Sequence, residues 1–141
     1  MNCNIKPPEL RRTVVLVVDD EDVVCRFVKC ILKAQNYEVL TASNSIEALH
    51  FGSTFDGPID ILLTDYDLKC SHNGMELAAC FSALRPDTQV LLVSGSLTQE
   101  EFAGDVLHQD DWDFLPKPFA PEQLLKKIQN MTANAVPAYF N

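Results

Sequence analysis

The hydrophobic positions of this chain form short runs separated by longer stretches of mixed polarity. A continuous apolar run of four to eight residues is typical of a strand buried on both faces of a parallel sheet. The five segments interpreted as strands are Val14 to Val18, Glu38 to Ala42, Ile61 to Leu63, Gln89 to Val93 and Asp113 to Leu115. The third strand ends at Asp65, and the fourth ends at Ser94.

The stretch after the first strand has the periodicity of a helix. Its acidic opening, Asp19-Asp20-Glu21-Asp22, suits a helix start, because carboxylates accept hydrogen bonds there and favour the positive end of the helix dipole. Spacing of i, i+3, i+4, i+7 and i+8 predicts an apolar stripe that packs on the sheet, made of Val24, Phe27, Val28, Ile31 and Leu32. We expect this helix to end near Asn36.

Four further helices are predicted, each following one of the other strands. The second is capped by Asn44 or Ser45, has Ile46, Leu49 and Phe51 on its inner face, and closes at Gly52 and the Asp56-Gly57-Pro58 turn. The third, fourth and fifth are predicted over Met75 to Leu84, over Gln99 to His108 with an interruption at Gly104, and over Pro121 to Met131.

Strict alternation of strands and helices predicts a doubly wound α/β domain with a five-stranded parallel sheet and right-handed crossovers. For a sheet of this size we expect the strand order 2-1-3-4-5, which places the switch point between the first and third strands. The expected organisation is a lead-in over residues 1–12, one domain over 13–131, and a tail over 132–141 that is too short for an output domain.

Composition narrows the functional classes. The chain has 141 residues, enough for one domain, and a net charge of −9, which disfavours direct nucleic-acid binding. Its five cysteines are odd in number and contain no C-x-x-C pair, as expected for reduced thiols in a cytosolic protein. Because we find no signal peptide or membrane-spanning run, we expect a soluble, cytoplasmic protein without membrane insertion.

Chemically useful side chains follow the carboxyl ends of four predicted strands. The predicted order brings Asp19 and Asp20 beside Asp65, and three converging carboxylates without His or Cys favour a hard cation such as Mg²⁺. The hydroxyl of Ser94 and the ammonium of Lys117 could each hold one phosphoryl oxygen, with Asp65 as the nucleophile. The implied reaction is in-line transfer that forms an aspartyl phosphate.

Each of these residues also has an ordinary interpretation. Asp19 and Asp20 could only cap the first helix, Asp65 could begin a loop, Ser94 could be a turn residue, and Lys117 could be a solvated charge. Their joint placement at the ends of different strands favours the functional interpretation.

On these residues the sequence resembles the receiver domain of two-component response regulators, over Thr13 to Met131. The matching features are the acidic pair Asp19-Asp20, Asp65, Ser94 followed by small Gly95, and Lys117 within Asp-Phe-Leu-Pro-Lys-Pro-Phe. The resemblance implies a flavodoxin-like fold. It also implies a receiver domain of the stand-alone type.

The resemblance also implies a role for each position. Asp65 is the phosphoacceptor and, with Asp19, Asp20 and the backbone carbonyl of Asp67, a ligand of Mg²⁺. Lys117 and Ser94 contact the phosphoryl group, Ser94 and Phe114 form the switch, and the Lys117-Pro118 bond is cis.

Two segments depart from the family pattern. Lys69 to Gly74 lacks the usual Met-Pro after the phosphoacceptor and is one residue longer, and Asp110-Asp111 replaces the usual Gly-Ala before the fifth strand.

Three functions compete at this point. The first is a single-domain response regulator, not an enzyme in the ordinary sense, which catalyses its own phosphorylation and hydrolysis. Its expected partners are a histidine kinase or histidine phosphotransfer protein, a downstream protein, and a second copy paired through the fourth helix, fifth strand and fifth helix. The second is a haloacid-dehalogenase-type phosphatase, because Asp65-Tyr66-Asp67 mimics its D-x-D, although the chain order disfavours it. The third is a receiver-like binding module that is never phosphorylated.

Overall fold

Strands and helices alternate along the chain in a computed structural model of the protein, which describes residues 11–69 and 72–133. The strands are β1 (Val14–Val18), β2 (Glu38–Ala42), β3 (Ile61–Asp65), β4 (Gln89–Ser94) and β5 (Asp113–Pro116). The helices are α1 (Asp22–Ala34), α2 (Ser45–Thr54), α3 (Gly74–Leu84), α4 (Gln99–Gly104) and α5 (Pro121–Ala133). The expected lead-in and tail lie almost entirely outside the described residues.

The sheet has the predicted order. All neighbouring strands are parallel and run β2-β1-β3-β4-β5. Val18 pairs with Thr64, and Ser94 pairs with Pro116, so the residues that follow β1 and β5 emerge at the same edge as Asp65. The flavodoxin-like prediction is confirmed, and this edge is where the predicted chemistry converges.

The two faces of the sheet carry separate cores because side chains alternate along each strand. On one face Leu16, Leu62 and Leu92 pack with Ala48 of α2, Phe81 of α3 and Phe102 of α4. On the other face Val15, Ile61 and Leu91 pack with Val28 of α1 and Leu124 of α5. Every residue of β1 and β3 is buried, so helices on both faces hold these two strands. This packing fixes the positions of their carboxyl ends.

Helix α2 differs from the prediction. Ile46, expected inside, is 65% exposed, whereas Ser45, Ala48 and Gly52 are buried. Small residues lie inward because α2 packs closely on α3: a Cβ at Gly52 would lie only 3.0 Å from a ring carbon of Phe81. Leu49 and Phe51 pack partly buried against the core, as predicted, so the prediction is wrong for Ile46, and small residues take the fully buried positions.

Helices α1 and α4 also depart from the expected pattern. In α1, Val28 and Leu32 are buried and Val24 and Ile31 pack partly buried beside them and buried Cys25, as predicted, but Phe27 is exposed. Helix α4 ends at Gly104 and does not continue to His108, because Asp105 is extended (φ −69°, ψ 140°) and its side chain accepts a hydrogen bond from the N–H of Leu107.

The connection from β3 to α3 depends on Gly74. A Cβ at this position would lie 2.4 Å from the carbonyl oxygen of Asp65 and 2.7 Å from Cα of Tyr66, both backbone atoms. The N–H of Gly74 donates to the Tyr66 carbonyl at 2.9 Å, and Asn73 caps α3 in a reciprocal pair with Glu76. Gly74 therefore lies tightly against the end of β3, while part of the loop that lacks Met-Pro, residues 70 and 71, lies outside the described residues.

We predict that Gly74→Ala lowers the free energy of unfolding by about 1–3 kcal/mol, because the methyl group overlaps backbone that cannot move aside. Gly104→Ala is the matched control: nothing lies within 4 Å of its added Cβ, and the change should be within about 1 kcal/mol. Urea unfolding of both variants measures the difference. Equal stabilities would contradict the assigned close approach.

Candidate functional site

The three predicted carboxylates meet at the carboxyl edge of the sheet. Oxygens of Asp19, Asp20 and Asp65 all lie within 4.8 Å of one another. Asp19 and Asp65 are buried, and Asp20 is half-buried. A cluster of this kind places several negative charges in a region of low solvent exposure, where their mutual repulsion is poorly screened.

The acidic pair does not serve as a conventional helix cap. Glu21 is the N-cap of α1 and makes no side-chain capping bond. Asp19 instead accepts a hydrogen bond from the N–H of Glu21 at 2.9 Å through Oδ1, while its Oδ2 accepts from Lys117. The first carboxylate is thus held in place from both sides, with one oxygen turned toward the centre of the site.

Lys117 reaches the cluster from the end of β5. Its Nζ donates a hydrogen bond to Asp19 Oδ2 at 3.0 Å and lies 3.3 Å from Asp65 Oδ1. Burial by itself would lower the pKa of Lys117, but the hydrogen bond to Asp19 and the charges of Asp65 and Asp19 outweigh it, and the pKa is raised. The ammonium is therefore charged at neutral pH. The Lys117-Pro118 bond is cis, as the family resemblance implied.

Asp65 lacks a well-directed partner. The ammonium of Lys117 is close enough for an ion pair with Oδ1, yet its directed hydrogen bond goes to Asp19, so this buried oxygen has no hydrogen-bond partner among the described residues. Burial raises the pKa of Asp65, Lys117 opposes that rise, and the nearby charges of Asp19 and Asp67 add to it. The site holds a destabilised carboxylate beside a fixed cation.

This donor set fits a hard divalent cation. The members of the cluster are all carboxylates, and oxygen-only donors suit Mg²⁺, which takes one or two carboxylates and keeps waters or phosphate oxygens in its other positions. Coordination of such an ion would satisfy the buried Oδ1 of Asp65, which lacks a hydrogen-bond partner among the described residues. The predicted contribution of the Asp67 backbone carbonyl stays a prediction.

Ser94 lies where the sequence placed it, but its partners were not foreseen. Ser94 is 1% exposed, and its hydroxyl donates a hydrogen bond to Asp67 Oδ2 at 3.2 Å. The second oxygen of Asp67 accepts a hydrogen bond from the hydroxyl of Ser96 at 2.7 Å. Sequence reasoning assigned only the backbone of Asp67 and missed Ser96. A serine two positions beyond a strand carries no signal of its own, because only the fold brings it to Asp67.

Phe114 already faces inward. It is 6% exposed and stacks on Phe102 at a centroid distance of 5.2 Å and an interplanar angle of 24°. His108 meets the edge of Phe102 at 4.6 Å, and Trp112 is buried beside them. The aromatic ring that the resemblance assigns to the switch is therefore buried in this structure.

Fold and site together define a class of protein: a parallel α/β domain with an acidic cluster, a hydroxyl and an ammonium around one buried carboxylate. Residues 15–129 match the family model described as the response regulator receiver domain. The chain belongs to this family, whose response regulators act in two-component systems.

Individual relatives agree with this assignment. The chain is 31% identical over 117 residues to the sensor kinase CckA of Brucella abortus (strain 2308), covering 83% of this chain and 12% of that protein. It is 30% identical over 116 residues to the nisin biosynthesis regulatory protein NisR of Lactococcus lactis subsp. lactis, covering 82% and 48%. The chain thus spans less than half the length of each of these relatives.

A solved structure shows the same fold. The CheY-like response regulator receiver domain protein from Methanospirillum hungatei JF-1 is 26% identical, with a TM-score of 0.75, and the match covers 87% of this chain and 96% of that one. Within the described residues, no helix is both long enough and apolar enough to cross a membrane.

We predict that Asp65→Asn stabilises the metal-free protein at pH 7. Because the folded-state pKa of Asp65 is raised, folding favours the protonated form of this side chain. Protonated Asp65 therefore contributes its full share to the stability of the fold below the unfolded-state pKa, and this contribution is lost as the pH rises through the folded-state pKa. Asparagine removes that loss, so the melting temperature in chelator should rise by a few degrees, and the gain should shrink as pH falls into the carboxyl range. Exposed Asp87, before β4, is the control: Asp87→Asn should change little. A lower melting temperature for Asp65→Asn at pH 7 would contradict the assignment.

Proposed function

We propose that this chain is a phosphoacceptor that takes a phosphoryl group on Asp65 from a histidine kinase or a histidine phosphotransfer protein. The observation that carries the proposal is the buried carboxylate oxygen of Asp65, which has no hydrogen-bond partner in the described part of the chain and lies 3.3 Å from Lys117 Nζ. In the reaction, this carboxylate attacks phosphorus, the bond from phosphorus to the donor atom breaks, and the electron pair leaves with the donor.

The residues around Asp65 would divide the work. Lys117 would hold one phosphoryl oxygen by charge, and Ser94 would hold another by hydrogen bonding. Asp19, Asp20, Asp65 and the Asp67 carbonyl would hold Mg²⁺, which supplies positive charge that offsets both the carboxylates and the incoming phosphoryl group. Since Lys117 is already bound to Asp19, its ammonium is placed before the donor arrives.

The protein would not turn over small phosphate esters as an enzyme does; its only catalysis would be its own phosphorylation and hydrolysis. The haloacid-dehalogenase alternative loses its basis, because the chain belongs to the receiver family and its acidic pair precedes Asp65. A receiver-like module that is never phosphorylated remains the alternative that an experiment must separate. A cytoplasmic location accompanies the proposal, because Cys25, Cys30 and Cys80 are free thiols.

Signalling would occur at the face formed by α4, β5 and α5, through a downstream partner or a second copy of the chain. Val106 is fully exposed there, and Lys127 on α5 lies 3.9 Å from Asp113 on β5. Phosphorylation would draw the Ser94 hydroxyl toward the new oxygens and alter the space beside Phe114 and Phe102. The response need only shift an existing equilibrium.

We predict that Asp65 alone is phosphorylated. With Mg²⁺ and a small phosphodonor such as acetyl phosphate, the intact mass should rise by one phosphoryl group, while Asp65→Asn should show no rise and Asp87→Asn should behave as the unaltered chain. Excess chelator should abolish labelling. A mass gain in Asp65→Asn would show that the nucleophile is wrongly assigned, and a folded wild type that never gains mass would favour the non-phosphorylated module.

We predict that phosphorylation changes self-association or partner binding, and that Ser94→Ala uncouples the change from phosphorylation. Coupling of about 1–3 kcal/mol would alter affinity roughly 5- to 150-fold. Sedimentation and partner titration with and without phosphate measure it, and Ser94→Thr, which keeps a hydroxyl, should retain the response. The mechanism fails if Ser94→Ala is phosphorylated and responds undiminished.

A further inference from the structure

The side chain of Asp67 makes contacts that phosphoryl transfer itself does not use. Its two carboxylate oxygens accept hydrogen bonds from two hydroxyls, that of Ser94 at 3.2 Å and that of Ser96 at 2.7 Å. Both serines belong to the end of β4 and the turn after it, whereas Asp67 follows β3. The carboxylate therefore joins the segments that follow β3 and β4.

The hydrogen-bonding capacity of Ser94 is fully used in this arrangement. A serine hydroxyl has one proton and two acceptor positions. The N–H groups of Ser96 and Leu97 donate to Ser94 Oγ at 3.0 and 2.9 Å, which fills both acceptor positions. The single proton of Ser94 is left for Asp67 Oδ2, or for Ser96 Oγ at 3.3 Å.

Only one acceptor can take that proton at a time. A phosphoryl group on Asp65 brings anionic oxygens that would compete for it, and binding them costs Ser94 its bond to Asp67. The short bond from Ser96 to the other carboxylate oxygen keeps Asp67 oriented toward Ser94. The Asp67 carboxylate thus stabilises the unphosphorylated position of the Ser94 hydroxyl, on which the proposed switch depends.

We propose that the Asp67 carboxylate and the Ser96 hydroxyl form a latch that holds Ser94 in its unphosphorylated position and opposes its turn toward the phosphoryl group. Both are positioning residues that act through Ser94. The inference rests on the proposed function, because it assigns regulation to the same site. Breaking the latch uses part of the free energy that phosphorylation supplies. The strength of the latch therefore determines how much of that free energy is left to shift the switch.

The test uses beryllium trifluoride, a tetrahedral phosphoryl mimic, titrated by calorimetry at saturating Mg²⁺ into the full chain. Asp67→Ala keeps the backbone carbonyl but removes the acceptor, and it should tighten binding about threefold to tenfold, the size of one net hydrogen bond. Ser96→Ala should act in the same direction with a smaller effect, and Ser96→Thr should restore the original affinity. Mg²⁺ affinity, measured separately, shows whether saturation holds for each variant.

A double-mutant cycle separates the latch from simple charge repulsion. In a Ser94→Ala background, adding Asp67→Ala should change the affinity less than about twofold, because the proton for which the two acceptors compete is gone. Asp67→Asn removes the charge and keeps an acceptor oxygen, so its effect should be clearly smaller than that of Asp67→Ala.

The outcomes separate a failure of the proposed function from a failure of the latch. If the folded, unaltered protein binds no mimic with Mg²⁺, the proposed function fails and the latch fails with it. If the unaltered protein binds the mimic but Asp67→Ala acts equally with and without the Ser94 hydroxyl, or Asp67→Asn acts as strongly as Asp67→Ala, repulsion explains the effect and the latch alone is overturned.

Discussion

The structure depends on holding three carboxyl groups together at the end of a buried parallel sheet. Hydrophobic side chains on both faces fix β1 and β3 so firmly that Asp19 and Asp65 cannot move apart to relieve repulsion. Lys117 compensates part of that repulsion through its contacts with both. What remains is a carboxylate cluster whose repulsion is only partly compensated, and a hard divalent cation bound there would offset it.

The close approach at Gly74 belongs to the same constraint. The loop after β3 must turn back against the backbone of Asp65, and only a residue without a side chain leaves space for it. The capping pair of Asn73 and Glu76 then starts α3 immediately. Backbone geometry on one side and strand packing on the other leave the backbone of Asp65 little freedom, so the fold sets where this side chain leaves the sheet.

The region around α4, which would take part in the proposed switch, is packed differently from the carboxyl ends of β1 and β3. Helix α4 has six residues and buries only Phe102, which stacks on Phe114. A short helix with one buried residue stores little packing energy, so shifting it would cost less than shifting the longer helices. The proposed switch would use this contrast between a fixed carboxyl edge and a lightly held α4 to convert a charge change at Asp65 into a change of surface.

Sequence by itself determined the fold class, the strand order and the positions of Asp19, Asp20, Asp65, Ser94 and Lys117, because buried runs and strand-end residues are local features with a fixed topological consequence. It failed for Ile46 of α2, because small residues take the buried positions next to α3, and for the length of α4. Only the tertiary structure brought Ser96 to Asp67 and placed Phe114 inside. Those contacts join residues distant in the chain, and local pattern carries no information about them.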